Sequence, residues 1–569
     1  QFKAAINAGL GGNYMLMKDI DMSELGTVNR AVITGNFVGT LDGNGYKIKN
    51  LTINSTATNS GLFGQTTGAT IKNVILENTS VSSTADNVGT LIGESNASSV
   101  TNTASTNANV TTVGGGTVGT GGLIGYLNGG NVTSSYSSGN VSGVFYTGGL
   151  IGLVSGTGNV SYSYSSANVF SALGGMVVGG LFGGGDSGSV SYSYATGNVT
   201  AGSGGFAGGL VGESNMSIIS SYATGNITGS SGDLGIGGIA GQSTGSITSS
   251  YSTGSVSGGS QIGGIAGQST GSITSSYSTG NVSGTSQVGG IAGDSSNNVF
   301  YSYSTGNVSG NSEVGGLIGR AYNGNITSSY TTGSVSGSNN VGGFVGFNSG
   351  GTITSSSSSG KVTGSTNVGG FAGSHTGGSI DNTNFWNKDS SGQATSAGSA
   401  IGKTSAQFDA MTPVTSTWNS TDWDTTFENP VLKAIKNGNI NMQTGAEATK
   451  NSCYALKDMG LNFGGELAIS LDSISSAQSA ISSIDKVMTY LSSKRSDIGV
   501  GINALSGRLD TNSTRKENFI SSSGVLKDTD MAVESAKFTK QQILRNMGMS
   551  MLQQSKNMQT SSIQQLLGL

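Results

Sequence analysis

The sequence predicts a β-solenoid of about twelve coils, capped at both ends, followed by an all-α region built on a coiled-coil seam. Three observations carry this. A glycine-rich pentad recurs along most of the chain, and short bursts of apolar and small polar alternation lie between its copies. Beyond about Lys436 glycine thins out and the apolar period becomes helical.

The pentad reads GLFG at Gly61–Gly64, VGTLIG from Val88, TGGLIG from Thr120 and Thr147, VGGLFG from Val178 and AGGLVG from Ala207. It continues as IGGIAG from Ile236 and Ile262, VGGIAG from Val288, VGGLIG from Val314, VGGFVG from Val341 and VGGFAG from Val368, twelve copies in all. The steps are 26, 26, 26, 27 and 27 residues from Ile236 onward and vary between 27 and 32 before it. That period is too short for a propeller blade and suits one coil of a solenoid. Strands of successive coils then stack about 4.8 Å apart, so twelve coils make a rod of about 58 Å. Inward positions are the Val, Ile and Leu of the pentad, with Ile273, Val282 and their equivalents. Glycine is expected to supply left-handed corners and to let neighbouring backbones approach. Tyr251, Tyr277, Tyr303 and Tyr330 recur at coil spacing and predict a stacked ladder.

The flanks differ, as solenoid ends should. Residues 1–60 are expected to form an N-terminal cap, 61–381 the repeats and 382–435 a C-terminal cap. The last of these holds all three Trp (Trp386, Trp418, Trp423) and both Pro (Pro413, Pro430), bulky residues to close the core and prolines to spoil an exposed strand edge.

Composition narrows the function. Glycine accounts for 98 of 569 residues, Pro for 2 and charged residues for 9%, which excludes collagen and a charge-rich disordered tail. In-register stacking, where like charges repel at every coil, is the expected cause of the low charge. Cys453 and His375 stand alone, so neither a disulfide scaffold nor a multi-ligand zinc site is available. A net charge of -4 argues against nucleic acid as the main partner. No apolar run reaches the length of about 18 residues that a membrane span needs. Gln1, without a Met or an export signal, is expected to be an internal or processed start.

Candidate chemistry is sparse. Asp19, Asp21 and Asp42 suit a calcium loop in isolation, but turn chemistry explains them more simply. Pentads such as GGLIG lack the GK[ST] of a phosphate loop. The sequons at Asn140, Asn226, Asn281 and Asn307 follow from the GNVS turn, and His375 reads as a surface side chain. No catalytic set and no cofactor is called for.

In the helical region, Ile474, Ala477, Ile481, Ile484, Met488, Leu491, Ile498, Ile502, Leu505 and Leu509 follow 3-4 spacing, with Arg495 the only break. About five heptads of so narrow a stripe need a partner helix. A second stretch carries Val533, Ala536, Ile543, Met547, Met551, Leu552, Met558, Ile563, Leu566 and Leu567, a set broader than one seam. Such a helix is surrounded by partners or copies.

Two resemblances attach to these segments. The pentads, with DIDMS, FVGTLDGNGYKIKNLTI and FWNKDSSGQATSAGSAIG, resemble the GLUG-repeat region of bacterial surface proteins over about residues 1–434, which implies a right-handed β-solenoid at a cell surface. Some relatives in that group are IgA-specific metallopeptidases, whose activity needs HExxH, and His375 is the single histidine here. NMQTGAEATKN, ALKDMGL, SAQSAISSIDKVMTYLSSKRSDIGVGINAL and LKDTDMAVESAKFTKQQILRNMGMSMLQQSKNM, to the terminal IQQLLGL, resemble the carboxy-terminal region of bacterial flagellin over about 440–569. That resemblance implies a connector of the outer-tube domain at 436–471, an outer-tube coiled-coil helix at 472–526 and an inner-core helix at 527–569. It further implies a homopolymer, and as partner the family's amino-terminal helical region, which is missing from this chain. O-linked sugars on exposed Ser and Thr are in keeping with it.

The leading expectation is therefore a structural subunit of an extracellular bacterial flagellar filament, polymerising through its C-terminal helices and displaying the solenoid outside. The alternative is a surface adhesin whose solenoid binds glycans or host proteins. A solenoid hydrolase is the weakest reading, because charged residues between Gly93 and Gly373 are few and are not expected to recur at coil spacing.

Overall fold

In the computed structural model the described residues are 2–409, apart from 115–118 and 172–176, together with the strands Trp423–Asp424, Val431–Leu432, Ile440–Gln443 and Cys453–Leu456. The chain divides into two compact units, Gln1–Asn437 and Gly438–Leu569. The first is the solenoid. The coiled-coil region expected over 472–569 lies outside the described residues.

One coil illustrates the rest. Gly235–Gly237 forms face C, Ala240–Ser243 and Ile247–Thr248 form face A, and Tyr251–Ser252 and Val256–Ser257 form face B. The chain then re-enters face C at Ser260–Gly263, one coil further on. Equivalent strands pair in parallel, so Ile236 stands beside Ile262, then Val288, Val314, Val341 and Val368. The faces are continuous sheets of 25 (A), 26 (B) and 10 (C) strands.

The solenoid has about thirteen turns, against the twelve expected from the pentads. Parallel pairing starts upstream of the first pentad: Asn13–Met15 pairs with Thr40–Asp42, and that strand with Thr70–Lys72. These early coils run on faces A and B, and the strands of face C begin at Gly119–Gly121. A coil without the third face needs no double glycine, so the pentad count misses it.

The predicted inward positions are buried, Ile236, Ile239 and Ile273 at 0% exposure and Val282 at 1%, and Ala240, which is not among them, is buried too. They divide between two cores. The main core runs from Ile6 to Trp386 and takes Ile239, Ala240 and Ile247, while a narrow second core from Val169 to Val362 takes Ile236 and Val256. The wall between them is where the coil is pinched. A Cβ on Gly264 would overlap the Gly290 carbonyl of the next coil and the Ser278 side chain, and Gly238 meets Gly264 and Ser252 in the same way. Residues across the pinch are small, Ala195 and Ala223 in earlier coils and Ser252, Ser278 and Ser304 later.

The expectation for glycine holds with a division of labour. The pentad glycines permit close approach, while left-handed backbone falls on other glycines, among them Gly45, Gly68, Gly156 and Gly324, and on columns of non-glycine residues. Ser249, Ser275, Tyr301, Ser328 and Ser355 form one such column, with φ of 50–51°, and Gln261, Gln287, Glu313, Asn340 and Asn367 a second, with φ of 50–54°. Short polar side chains tolerate this region best, and here each strained corner is held by stacked copies of itself.

A buried serine ladder locks the turn from face A to face B. From Ser135 to Ser329 each backbone N–H donates to the serine Oγ one coil on, at 3.1–3.3 Å. The hydroxyls donate in turn to the carbonyl two residues back, as Ser250 does to Thr248 at 2.9 Å. The ladder ends on Asn384, whose Oδ1 accepts from Ser356 at 3.1 Å. This satisfies a column of buried N–H groups that a turn without a ladder would leave unpaired.

Both ends are closed. Helix Phe2–Ala8 places Ile6 in the main core, and the Tyr14 hydroxyl donates to the Gly9 carbonyl at 2.6 Å. At the other end Trp386 is 5% exposed, and its Nε1 donates to the Gln393 carbonyl at 3.2 Å. Asn387 accepts from the N–H groups of Asp389 and Ser390 and caps the short helix Lys388–Ser391. Trp418, Pro413 and Pro430 lie outside the described residues.

Candidate functional site: the laddered faces of the solenoid

Face B carries a repeating YSTGNVS phrase in which Tyr, Thr, Asn and Ser point outward while Ser, Gly and Val point inward. The inward glycine sits where the coil bends, because a Cβ on Gly280 would strike the Gly254 carbonyl. The tyrosine ladder is longer than expected and runs from Tyr136 through Tyr164, Tyr194 and Tyr222 to Tyr251, Tyr277, Tyr303 and Tyr330. Ring centroids are 4.7–4.9 Å apart and the planes lie within 8° of parallel. Burial, with the neighbouring tyrosine Tyr277 second, pushes the Tyr251 phenol up to about 12. Burial likewise raises Tyr164, Tyr194, Tyr222 and Tyr330. Interior rungs cover one another's faces, so the ladder offers edges and hydroxyls to solvent rather than the bare ring face on which a planar ligand stacks.

Face A gathers the charge. Glu213, Gln242, Gln268, Asp294, Arg320 and Phe347 occupy consecutive rungs of one outward column. Charge meets charge on adjacent rungs of this column once, at Asp294 beside Arg320, and there the signs are opposite; Glu213 is separated from them by Gln242 and Gln268. Burial raises the Asp294 carboxyl, Arg320 opposes the shift and Glu313 adds to it. Burial also raises Glu213, with Asp186 second. The Arg320 guanidinium lies over the Tyr322 ring, 5.4 Å from its centroid, and over the Phe347 ring, 5.9 Å from its centroid, the geometry of a cation against aromatic faces.

The N-terminal acids are engaged by their neighbours. Asp19 pairs with Lys49 at 2.6 Å and accepts from the Lys47 N–H, which holds its carboxyl below the ordinary range. The Ser23 N–H, at 2.9 Å, does the same for Asp21, assisted by Asn50. Burial pushes Asp42 upward, but bonds from Asn73, the Asn44 N–H and Lys72 outweigh it, and the net direction is down. The bonds that Asp21 and Asp42 accept from the N–H two residues on are the turn chemistry that the sequence suggested, while Asp19 bonds across to the next coil. Among the described residues no group of three or more His, Cys, Asp or Glu is placed to hold a metal ion. His375 is half-buried in the strand Ala372–His375, with Nδ1 3.3 Å from Asn348 Nδ2. Asn140, Asn226, Asn281 and Asn307 all stand exposed on one column of face B.

The assembly positions of the sequence analysis, Ile474 to Leu509 and Val533 to Leu567, lie outside the described residues. What the sequence reading missed is the segregation of charge between faces. The signal was present in the spacing of Asp294 and Arg320, 26 residues apart, but is visible only once the coils are in register.

Residues 481–567 match the bacterial flagellin C-terminal helical region. The carboxy-terminal region of the chain is thus similar to that of flagellins. Flagellin A of Vibrio cholerae serotype O1 is 36% identical over 111 residues, which is 19% of this chain and 29% of that protein. Polar flagellin C of Vibrio parahaemolyticus is 36% identical over 95 residues, 17% of this chain and 25% of that one. The flagellin-like segment thus spans under a third of these relatives' length. Upstream of it, residues 310–336 and 337–363 match the GLUG motif, and residues 2–109 match the N-terminal region of the M26 IgA1-specific metallo-endopeptidase. Among solved structures, an IgA1 protease aligns over 53% of this chain and 20% of its own, at 19% identity and a TM-score of 0.27.

Proposed function

We propose that this protein is a structural subunit of a bacterial flagellar filament, outside the cell, and that it displays the solenoid on the filament exterior. The observation that carries the proposal is the flagellin-type match over 481–567, joined in one chain to a rigid, capped solenoid. In this reading the seam from Ile474 to Leu509 packs in an outer tube and the set from Val533 to Leu567 in an inner one, with burial of apolar stripes between neighbours as the driving force. Flagellin amino-terminal helices are the partner, and the protein acts by assembling, without catalysis. The M26 match covers the first coils, while HExxH chemistry needs two histidines and the sequence holds one.

The test is to shear filaments from cells and identify their subunits by mass spectrometry. The chain should be a component of the filament, and Ile484→Asp with Leu491→Asp should remove it. Recovery of the native chain only in the outer membrane would reject the proposal and favour a tethered adhesin.

A further inference from the structure

The pinch has an outer side. Where the chain bends inward at Gly264, between Ser260–Gly263 of face C and Ala266–Ser269 of face A, the surface folds into a crease that continues from coil to coil along the solenoid. Its floor is backbone, since a Cβ on Gly293 would overlap Gln261 and Ile262 of the previous coil. Its walls are two columns of half-buried side chains, Gln261, Gln287 and Glu313 from face C and Gln268, Asp294 and Arg320 from face A. The walls meet across the floor, where the Gln261 side chain donates to the Asp294 carboxylate one coil on. Two observations set these coils apart. Gln261, Gln287 and Glu313 keep long side chains on left-handed backbone, a position that passes to Asn340 and Asn367 in the following coils. Asparagine is the favoured choice there, and strain of this kind gathers at functional sites. The cluster is also not closed on itself. In the early coils Glu94, on the same column of face A, accepts from Asn59 at 2.8 Å, Gln65 at 3.3 Å and Asn96 at 2.8 Å. Among the described residues, by contrast, no ion pair includes Asp294, Glu313 or Arg320, and the buried Glu313 Oε2 and Arg320 Nε have no hydrogen-bond partner. Buried polar atoms are almost always satisfied, so these two mark a place that is completed from outside the chain.

We infer that the crease around Asp294, Glu313 and Arg320 binds an uncharged oligosaccharide that lies along the solenoid. A sugar hydroxyl donates to a carboxylate and accepts from a guanidinium through the same oxygen, and neighbouring hydroxyls match the carboxamides of Gln268 and Gln287. Glu313 and Arg320 are long and only half-buried, so each can turn its unpaired atom toward such a ligand. Two carboxylates against one guanidinium disfavour a phosphate or uronate chain. An extended peptide cannot add as a strand, because the strands of both faces are already paired with the coils on either side. Rungs about 4.8 Å apart present like amides at a repeat comparable with the length of one sugar ring. Beyond Arg320, the Tyr322 ring is 50% exposed and offers an apolar wall to the C–H face of a sugar. This inference stands on the solenoid alone and does not depend on the flagellar reading.

The experiment is calorimetric titration of the full chain with maltohexaose, cellohexaose and N-acetylchitohexaose as uncharged probes and hexagalacturonate as an acidic one. At least one uncharged hexasaccharide should bind, with an affinity that changes less than about twofold between low and high salt, and hexagalacturonate should not. Asp294→Ala alone, and Gln268→Ala with Gln287→Ala, should each weaken that binding at least about tenfold. Thr279→Ala with Asn281→Ala removes as many polar side chains from face B and should leave the affinity unchanged. Circular dichroism of each variant checks that the solenoid persists. Failure of all three uncharged probes would overturn the inference and leave the crease to water. Equal losses from the crease and face B variants, or tighter binding of hexagalacturonate, would overturn it as well.

Discussion

The early coils, Asn13 to Thr112, and the later coils from Gly119 solve one stacking problem in two ways. The early coils have one core, filled by large residues such as Phe37, Leu41, Ile48 and Phe63, and they bind rung to rung with ion pairs such as Lys47 to Glu77 at 2.8 Å. The later coils add a third face and a second, narrow core, and they bind rung to rung with serine and tyrosine ladders, while asparagine ladders run through the early coils too, as from Asn107 to Asn78 at 2.9 Å. Because charge is stacked freely in the early coils when its signs alternate, its absence later is not a requirement of stacking. The pinch has its own requirement, which is glycine.

The largest effect should come from filling that pinch. Gly264→Ala sets a methyl against the Gly290 carbonyl and the Ser278 side chain, and a backbone cannot step aside cheaply, so we expect a loss of about 3–5 kcal/mol in denaturant titration. Gly45→Ala in the early coils has open space around it and a φ of +80°, and it should cost only the left-handed strain of about 1–2 kcal/mol. Equal losses would mean that the double glycine serves the turn and not the pinch.

Next is the serine ladder. Ser276→Ala removes the acceptor of the buried Ser250 N–H and should destabilise by about 1–3 kcal/mol, with faster amide exchange at Ser250. Lys47→Met in the early coils breaks a partly exposed ion pair and should cost no more than about 1 kcal/mol. If the lysine variant proved the more damaging of the two, charge would be the stronger of the two couplings.

Much of this was legible before any coordinates. The period, the inward set of Ile236, Ile239, Ile273 and Val282, and the tyrosine ladder follow from identical residues recurring at one spacing, since a repeat places like on like. Three features were not. The two cores are hidden because a glycine pair reads equally well as a turn or as a close approach. Left-handed Ser275 and Gln287 are hidden because no local signal marks a non-glycine residue for that region. The column of Glu213, Asp294 and Arg320 is hidden because its members are unlike one another, so no repeat announces it. The assembly seam expected from the heptad pattern falls on residues outside those described.

The smallest effects are in pH, and they have opposite signs in the two regions. Asp19, Asp21 and Asp42 are held below their ordinary value of 3.8, so their contribution to the early coils is present above that pH and is lost as pH falls through the lowered values. The Tyr164, Tyr194, Tyr222, Tyr251 and Tyr330 phenols are raised, Tyr251 to about 12 from 10, so their contribution to the later coils is complete below pH 10 and is lost as pH climbs toward 12. Amide exchange at pH 3 should therefore open residues 13–83 before residues 236–369. Alkaline titration should show tyrosinate absorbance rising in two waves, exposed phenols first, with the β-sheet signal falling only in the second. A single wave near pH 10 with the β-sheet signal unchanged would mean that water reaches the ladder rings freely. The later coils would then owe their cohesion to serine and glycine alone.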